Sequence, residues 1–402
     1  MMMKSEGYIL VIALWIAIVL FIFLTTLTTR IFIQRRQIDL SYHQERALAL
    51  AESGVDVALA CLNEKNLQGS STVISGSIEE MGNFSVQISS PLSDTITVLS
   101  TGYSKKEDKV MAEREVKVTV QSQELNLFNY SVFAYGGSII LDDSFIDSYD
   151  STSGSYEDQA INKDEVSGYT YARSNASVGT TSTDPDAVLL DANSVIFGDI
   201  SLGLEAEFPQ PVPPINFDYD YSGTAEGFLS ISGSEVYQLN EPGTYRYDVI
   251  SISGNGVLEI NASVTIYVAG DVRVNDLDIT GNGEIRIAPG CTVNFYVGGN
   301  LKVAGNGIVN LSSDPSALAI YGTEETTDIQ LQGNAAFCGL VYAPQANVTI
   351  KGSTPVLYGA VVANSIDIGP HGRIHYDEAI KDKTDFLPPW ASIYRIVRWE
   401  EE

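Results

Sequence analysis

The segment VTIYVAGDVRV (264–274) recurs without gaps as VNFYVGGNLKV (293–303). Apolar residues occupy alternate positions in both copies, and the residues between them are mostly polar, as in strands that bury one face. The matching apolar pairs are Val264/Val293, Ile266/Phe295, Val268/Val297, Val272/Leu301 and Val274/Val303. The repeat therefore predicts strands that stack on their equivalents one repeat later, with these alternate residues pointing inward.

Further repeats indicate where the chain turns. Gly-Asn-Gly recurs at 254–256, 281–283 and 305–307, and the related segments DIQLQGN (328–334), NVTIKGS (347–353) and SIDIGPH (365–371) follow. Gly and Asn suit corners because these often need a positive φ. Strand, turn and strand at a period of roughly 18–29 residues predicts a β-solenoid of the right-handed parallel β-helix kind. A β-sandwich, which also has short strands and frequent turns, is the alternative.

The predicted solenoid covers residues 127–378. Residues before the proline-rich segment FPQPVPP (208–214) are expected to form its first coils, interrupted by a polar insertion at 147–186. The proline-rich segment is stiff and predicts a crossing between two portions of the solenoid. Residues 379–402 are expected to form a carboxyl-terminal tail.

A long apolar helix precedes the repeats. No charged residue lies within 7–29, and a helix of this length measures about 35 Å, enough to cross a hydrocarbon core of about 30 Å. A secretory signal has a shorter apolar core, of about 7–15 residues. Apolar residues then recur every three or four positions as far as Leu62. We predict a retained transmembrane segment at 7–29 within one helix over 8–66, after a leader-like tip at 1–7.

The segment after the helix predicts a small antiparallel sheet at 67–126. Period-two alternation marks three strands in it: GNFSVQISS (82–90), TITVLSTGYSKK (95–106) and KVMAEREVKVTV (109–120). This sheet would cover the apolar stripe of the helix. The predicted fold class is therefore mainly β, with one long amino-terminal helix, a small antiparallel sheet and a β-solenoid.

The chain is strongly acidic, with 23 basic and 51 acidic residues in 402 and a formal net charge of −28. Such a charge repels phosphate backbones, so no nucleic-acid partner is predicted. Three cysteines, Cys61, Cys291 and Cys338, are too scattered for a disulfide framework or a thiolate metal site, and free thiols are expected. Neither a metal nor a cofactor is predicted.

Paired carboxylates are the main candidates for catalysis, because some parallel β-helices cleave polysaccharides with acidic residues on one face. The pairs are Asp142/Asp143, Asp184/Asp186, Asp218/Asp220 and Asp276/Asp278. Asp276 lies where the inward parity changes, which marks a corner, and chance adjacency is expected in so acidic a chain. No catalytic residue is therefore predicted, and the chain is not expected to be an enzyme.

The remaining candidates have structural interpretations. His371 and His375 are four residues apart on one strand, about 13 Å, which is too far to share a metal. A turn histidine and a hydrogen-bonding histidine are predicted instead. Four tyrosines of the insertion could bind a surface or a glycan, although packing is the favoured interpretation: Tyr149, Tyr156, Tyr169 and Tyr171.

The start of the chain carries a family pattern. KSEGYILVIALWIAIVLFIFL (4–24), followed by RALALAESGVDVAL (46–59), resembles the amino-terminal region of type IV pilus assembly proteins of the PilX type. In that family a charged tip ends in Gly, an apolar helix follows, and an AE-small-G element lies about one helix length later. That element is Ala51, Glu52, Ser53 and Gly54 in this sequence.

The resemblance implies specific roles for a few residues. Prepilin peptidase would cleave the bond between Gly7 and Tyr8, and Ile12, Glu52 and Gly54 would lie in the helical core of an assembly. The family usually has Glu at the fifth mature position, where this chain has Ile12. Because that Glu is thought to neutralise a neighbouring amino terminus, its replacement predicts a subunit at the filament tip or in its initiating complex.

Membrane orientation follows the family. Three arginines after the span, which could also bind anionic lipid headgroups, favour the reverse orientation by the positive-inside rule: Arg30, Arg35 and Arg36. The acidic, Gly-, Asn- and Ser-rich bulk is nevertheless typical of an extracytoplasmic domain. We therefore expect a single-pass protein of the inner membrane, with the bulk outside the cytoplasm or on a pilus.

The later part of the chain resembles the domain of unknown function that follows PilX-type amino termini in bacterial pilus proteins. The resemblance rests on IDSYDS (146–151), YAPQANVTIKG (342–352), YGAVVANSIDI (358–368), HYDEAI (375–380) and YRIVRWEE (394–401). It implies a β-helical fold and a place in a pilus system, without a catalytic residue.

Together these features predict a minor pilin-like component of a type IV pilus or secretion pseudopilus. Its partners would be other pilin-like subunits, inner-membrane assembly proteins, prepilin peptidase and membrane lipid. One alternative is a membrane-tethered β-helical enzyme acting on polysaccharide, which predicts a groove lined by carboxylates and aromatic residues. A second alternative is a bactofilin-like scaffold, which would lack the small sheet.

Overall fold

A computed structural model describes most of the chain. The described residues are 5–63, 71–78, 81–89, 95–106, 109–124, 127–206, 208–222, 227–275, 281–332, 336–352, 355–383, 388 and 392–401. They form two compact units, one from Met1–Gln123 with Ser392–Glu402 and the other from Glu124–Ala391. The first unit combines one long helix with an antiparallel sheet, and the second is built on large parallel sheets, so the chain is mainly β.

Strands are numbered in chain order. The first unit contains α1 (Ser5–Asn63), β1 (Ser71–Ile78), β2 (Gly82–Ser89), β3 (Thr95–Lys106) and β4 (Lys109–Glu124). The second contains β5 (Val132–Ala134), β6 (Ile139–Leu141), β7 (Phe145–Tyr149), α2 (Tyr156–Gln159), β8 (Asn162–Lys163), β9 (Thr170–Tyr171), β10 (Val178–Thr180), β11 (Val188–Leu190), β12 (Val195–Ile196), β13 (Ile200–Ser201), β14 (Tyr219–Asp220), β15 (Phe228–Ile231), β16 (Val236–Leu239), β17 (Gly243–Tyr247), β18 (Val249–Ile252), β19 (Val257–Ile260), β20 (Val264–Val268), β21 (Val272–Val274), β22 (Glu284–Ile287), β23 (Val293–Val297), β24 (Leu301–Val303), β25 (Gly307–Asn310), β26 (Leu318–Gly322), β27 (Asp328–Leu331), β28 (Phe337–Ile350), β29 (Val356–Ile368) and β30 (Arg373–Asp377). Strand β31 (Ser392–Glu401) returns to the first unit.

Helix α1 has two halves with different surroundings. From Ile12 to Tyr42 its side chains are exposed and predominantly apolar. Beyond His43 a stripe at helical spacing is buried against the sheet: Ala47, Ala51, Val55, Ala58 and Leu62. One long amino-terminal helix is thus present as predicted; it begins at Ser5, within the predicted tip 1–7, and residues 64–66 of the predicted range 8–66 lie outside the described residues.

The sheet of the first unit has the order β1-β2-β3-β4-β31 among the described strands. Neighbouring strands β1 to β4 pair antiparallel. Their apolar face meets the helix stripe in one core that contains Phe84, Val86, Ile88, Ile96, Val98, Val116, Val118 and Val120. The three predicted strands are confirmed, and Ser71–Ile78, whose Ser and Gly content weakens the alternation signal, is an additional strand.

Two glycines let α1 approach this sheet closely. A Cβ on Gly102 would lie 2.0 Å from the carbonyl oxygen of Ala47, and a Cβ on Gly54 would lie 2.3 Å from the Ser100 hydroxyl. The contact at Gly102 is with backbone and could be relieved only by movement of the helix or the sheet, whereas the one at Gly54 would displace the side chains of Ser100 and Val86. The glycine of the AE-small-G element therefore serves packing within the first unit.

The carboxyl-terminal residues do not form the single tail predicted for 379–402. Glu378–Asp382 is a 3₁₀-helix of the second unit, and Ser392–Glu401 is the edge strand next to β4. The terminal sequence IYRIVRWEE is rich in β-branched and aromatic residues, which favour strands. Tyr394 packs against the core of the first unit.

In the second unit the strands form three ranks of parallel neighbours. The first rank is β14-β17-β20-β23-β26-β28-β29-β5-β10-β13 and the second is β15-β18-β21-β24-β27-β28-β29-β6-β11. The third rank has two parts, the four-strand sheet β16-β19-β22-β25 and the series β28-β29-β30-β7-β12.

The register of these ranks follows the sequence repeats. Val264, Ile266 and Val268 pair with Val293, Phe295 and Val297, as the ungapped alignment predicts. All six side chains are buried, which confirms the inward parity. The shorter repeats also stack in register, since Asp328 pairs with Asn347 and Asn347 with Ser365.

The order in which the strands stack within each rank differs from the prediction that residues 127–203 form the first coils. Strands β5, β6 and β7 pair with β29 and β30, so this part of the chain stacks onto the last repeats. Segment 208–214 then connects β13 to β14, at opposite ends of the first rank. Periodicity reveals which residues point inward but not the order of stacking, because parallel neighbours need not be consecutive in sequence.

The polar insertion is shorter than predicted at 147–186. Strand β7 continues to Tyr149, and β10 (Val178–Thr180) already belongs to the first rank. The inserted segment is therefore 150–177. Its boundaries were misplaced because β10 has only three residues and contains Gly179, which leaves no alternation to detect.

Candidate functional site

A column of polar and aromatic side chains crosses the later part of the third rank. Tyr358 on β29 lies in register with His375 on β30, and His375 lies in register with Asp147 on β7. Cys338 on β28 extends the column beyond Tyr358. The alternate residues of these strands are buried in the apolar core: Ile146, Leu357 and Ile374. Strand alternation places the column on the outer face.

The insertion 150–177 covers this outer face. Asp147 is completely buried. The backbone N–H of Ala172 donates a hydrogen bond to its Oδ2 at 2.9 Å, and the hydroxyl of Tyr156 donates to the same oxygen at 3.0 Å. A buried carboxylate is tolerated only when such partners replace water. The insertion supplies both of these donors.

The carboxylate of Asp147 also contacts His375, which is 2% exposed. His375 Nδ1 lies 2.5 Å from Asp147 Oδ1. The imidazole ring packs against two tyrosine rings, with centroid distances of 3.7 Å to Tyr156 and 5.0 Å to Tyr358. His375 thus helps to fix the positions of the rings of Tyr156 and Tyr358.

A second network fastens the insertion beside the column. The backbone N–H of Ser151 donates to the buried carboxylate of Asp377 at 3.0 Å. Arg173 lies 3.3 Å from carboxylate oxygens of both Asp150 and Glu378. These contacts join both ends of the insertion to the last residue of β30 and the residue after it.

A cleft of about 640 Å³ opens at the edge of the insertion. Three aromatic rings line it, those of Tyr149, Tyr156 and Tyr358, with centroids 5.8 to 6.1 Å apart. Polar groups also line it, and they include Ser155, Glu157, Asn310, Ser312, Asp314 and Lys383. We call this cavity the tyrosine cleft.

The two carboxyl groups of the tyrosine cleft are ionised at neutral pH. A hydrogen bond from its own backbone N–H lowers the pKa of Glu157, which also accepts a hydrogen bond from the hydroxyl of Tyr358 at 3.0 Å. Burial opposes ionisation of Asp314, but hydrogen bonds from Ser316 and the Lys383 ammonium outweigh it and lower its pKa. Lys383 Nζ lies 3.1 and 3.2 Å from the two Asp314 oxygens.

The other titratable groups of the cleft are neutral. Burial raises the pKa of the Cys338 thiol to about 12, so no thiolate nucleophile is present. Burial likewise raises the pKa of Tyr149, Tyr156 and Tyr358 well above its usual value. These phenols therefore stay protonated and can donate hydrogen bonds throughout the physiological range.

Several members of the predicted acidic pairs contact neighbouring backbone or side-chain groups. Asp143 contacts His371, Asp184 accepts from the N–H of Asp186, and Asp218 and Asp220 accept from backbone N–H groups of Thr244 and Ser222. Asp276 and Asp278 lie outside the described residues. Among residues that the structure describes, no group of three or more His, Cys, Asp or Glu side chains is arranged to hold a metal ion.

Both histidine predictions are confirmed. His371 is a turn residue with φ of 61°, and its Nδ1 lies 2.7 Å from Asp143. His375 is the buried hydrogen-bonding residue of the column. The cysteines Cys61, Cys291 and Cys338 are free thiols, as expected.

The four candidate tyrosines divide into two groups. Tyr169 and Tyr171 pack on aromatic neighbours, with ring centroids 4.7 Å from Phe145 and 4.1 Å from Phe197. Tyr149 and Tyr156 line the tyrosine cleft. The packing interpretation therefore holds for the first two; of the other two, Tyr149 is buried, and Tyr156 is half-buried and packs on His375.

The candidate residues of α1 lie in its two halves. Gly7, Tyr8 and Ile12 belong to the amino-terminal half, where the Ile12 side chain is 49% exposed. Glu52 is exposed and Gly54 is buried against the sheet. A role for these residues in processing or in a helical assembly stays a prediction.

The cleft and its supporting column include residues that sequence reasoning did not connect. Asp147, Tyr358 and His375 occur in IDSYDS, YGAVVANSIDI and HYDEAI, motifs already singled out by family resemblance. Asp147 and His375 are nevertheless 228 residues apart. Only the stacking of β7 on β30 brings them together, and no pattern within the sequence specifies that pairing.

Comparison with known proteins gives two likenesses. Residues 220–383 match the family described as Domain of unknown function (DUF7305), a range that contains Tyr358 and His375 but not Asp147 or the insertion. At 12% identity and a TM-score of 0.24, 90% of the chain is similar to 97% of the competence-associated pilin ComZ from Thermus thermophilus. A score of that size carries no argument here. The sequence matches no curated protein.

Proposed function

We propose that the chain is a membrane-anchored, minor pilin-like component of a type IV pilus or a related secretion pseudopilus. Helix α1 would anchor it in the inner membrane and pack with other pilin-like helices. The second unit would be displayed outside the cytoplasm as an acidic β-solenoid. Its partners would be pilin-like subunits, inner-membrane assembly proteins, prepilin peptidase and membrane lipid.

The division of α1 into two halves carries this proposal. Within the described part of the chain, it is the one helix long enough and apolar enough to cross a membrane. Its exposed apolar half cannot remain in water, because a surface of this size must be covered by lipid or by other helices. The other half belongs to the core of the first unit. A helix of this kind suits a subunit that leaves the membrane and joins a filament.

The ranks of parallel strands support the β-solenoid, because equivalent alternate residues of stacked strands all point inward. Each repeat buries its apolar face on the next, as Val268 does on Val297. The bactofilin-like alternative expects no small antiparallel sheet, so the sheet β1-β2-β3-β4-β31 favours the pilin-like proposal over it. PilX-type processing at the Gly7–Tyr8 bond belongs to this proposal as well.

The enzyme alternative predicts a groove with carboxylates and aromatic residues, and the tyrosine cleft has both. A glycosidase of the usual kind needs one carboxyl group that is protonated at working pH. The lowered pKa of Glu157 and of Asp314 leaves both as carboxylates. These two carboxylates therefore do not suit a glycosidase of this kind, and we propose a structural rather than a catalytic role for the protein.

Localisation tests the proposal directly. Antibodies against the second unit should label sheared filaments at one end, because Ile12 cannot neutralise a neighbouring amino terminus along a shaft. The variant Ile12→Glu should spread label along the shaft if the missing charge is what excludes it. Labelling of cell bodies alone, with no filament in the same preparation labelled, would contradict a filament role.

A further inference from the structure

We propose that the tyrosine cleft binds a neutral oligosaccharide, with Tyr156 and Tyr358 as the surface on which a sugar ring stacks. Nothing in this proposal depends on whether α1 joins a filament. It assigns to the second unit a ligand-binding role in addition to display.

The aromatic wall has the chemistry that a pyranose ring needs. One face of such a sugar presents C–H groups, which favour the negative face of an aromatic ring, while its rim presents hydroxyl groups. Tyr156 and Tyr358 are half-buried, and their rings lie 5.8 Å apart at 68°. The volume of about 640 Å³ lies within the range of small-molecule sites.

The cleft is organised before a ligand arrives. The hydroxyl of Tyr156 is held by Asp147, and the hydroxyl of Tyr358 is held by Glu157. His375 supports both rings from the covered side. Because these side chains are already ordered, binding would cost little conformational entropy. Asp147 and His375 are positioning residues in this arrangement.

Charge disfavours an anionic ligand. Lys383 neutralises Asp314, so Glu157 is left as an acceptor with lone pairs beyond the one that Tyr358 uses. The chain carries a net charge of −28, which repels anionic polymers. Sugar hydroxyl groups can donate to Glu157 without any ionic partner.

Binding should be measured on the full chain in detergent micelles by calorimetric titration. The probes are hexasaccharides of glucose, mannose, galactose and N-acetylglucosamine, together with an anionic hexagalacturonate. At least one neutral hexasaccharide should bind with a Kd below about 1 mM, and hexagalacturonate should bind at least tenfold more weakly. Failure of all four neutral probes at about 10 mM would overturn the proposal.

Variants show whether the cleft is the site. Tyr358→Ala should weaken binding at least tenfold, whereas Tyr358→Phe, which keeps the ring, should weaken it only a few-fold. Tyr135→Ala is the matched control, because Tyr135 is an exposed tyrosine that does not line the cleft. Circular dichroism would show whether each variant is folded.

Two results would contradict this assignment of the site. Equal affinity for Tyr358→Ala and the unsubstituted chain, with Glu157→Gln also unchanged, would place sugar binding elsewhere. Aromatic grooves also bind proline-rich peptides. Displacement of the sugar by a decaproline peptide, with tighter binding of the peptide, would assign the cleft to a protein partner.

Discussion

The two parts of the third rank, the four-strand sheet and the series β28-β29-β30-β7-β12, are both built from parallel strands. They differ in whether another segment covers their outer face. On the four-strand sheet, Gln238, Glu259 and Arg286 form an outward column in register. Glu259 and Arg286 lie 3.7 Å apart, with side chains 23% and 39% exposed. In the later part, the corresponding outward column is Asp147 and His375, which the insertion has buried almost completely.

This difference shows how a repeating fold acquires a site. Regular strands present their outward residues to water, where an ion pair contributes little and no cavity forms. An irregular insertion excludes water from the same kind of surface, and polar groups must then satisfy one another. The tyrosine cleft lies at the edge of that covered region, where repeat and insertion meet.

The largest loss of stability should come from a substitution on the inward face of the strands, which packs in the apolar core of the second unit. Val268→Asp would bury an unpaired carboxylate and should cost about 5 kcal/mol or more, unfolding neighbouring repeats. Tyr267→Asp, at the adjacent outward and half-exposed position, should cost far less. Thermal unfolding measures both, and equal losses would refute the inward parity.

A smaller loss of stability should distinguish the buried column of Asp147 and His375 from the exposed column of Glu259 and Arg286. Asp147→Ala leaves a buried histidine and a tyrosine hydroxyl without their acceptor and should cost about 3–5 kcal/mol. Glu259→Ala, in the open column, should change stability by no more than about 0.5 kcal/mol. Urea unfolding of the two variants provides the comparison. Similar values would mean that burial by the insertion has no energetic consequence.

Removal of one hydroxyl group tests whether hydrogen bonding to Asp147 holds the insertion in place. Tyr156→Phe removes a hydrogen bond to the buried carboxylate of Asp147 and should destabilise the protein by about 1.5–3 kcal/mol. Tyr171→Phe is the control within the insertion, because the ring stack of Tyr171 on Phe197 is preserved. Hydrogen exchange should accelerate at Ala172 in the first variant only. Unchanged exchange there would show that the bond does not hold the insertion down.

The smallest expected effect is a change in stability on acidification, through Asp314 and Lys383. Burial opposes ionisation of Asp314, but hydrogen bonds from Ser316 and from the Lys383 ammonium outweigh it and hold its folded-state pKa below the ordinary value of 3.8. These partners therefore stabilise the protein above that value. This contribution is lost as pH falls through the lower, folded-state pKa. Lys383→Met should therefore be less stable than the unsubstituted chain at pH 7, and the difference should shrink as the pH falls below the ordinary pKa of 3.8. A difference that grows on acidification would contradict the assignment.

Much of the fold could be predicted from the sequence. Alternation and ungapped repeats specify which residues face inward, as at Val264 and Val293, because strand geometry has a strict period of two. The long run of apolar residues likewise specifies α1. These features depend on local sequence and on solvent exposure.

The stacking order and the candidate site could not be predicted in this way. The pairing of β7 with β30 depends on contacts between residues more than two hundred positions apart, and a strand's own pattern does not name its neighbour. The buried Asp147 and His375 also resemble ordinary polar surface residues when read in isolation. Their burial is a property of the insertion that covers them.

The proposal that α1 is a pilin-like anchor is tested most directly by the mass of the mature protein. Membranes with active prepilin peptidase should contain a chain that begins at Tyr8, because the charged tip ends at Gly7. A Gly7→Ala variant, which alters the residue before the cleavage point, should retain the tip. Recovery of the unsubstituted protein from those membranes with Met1–Gly7 still attached would contradict the account.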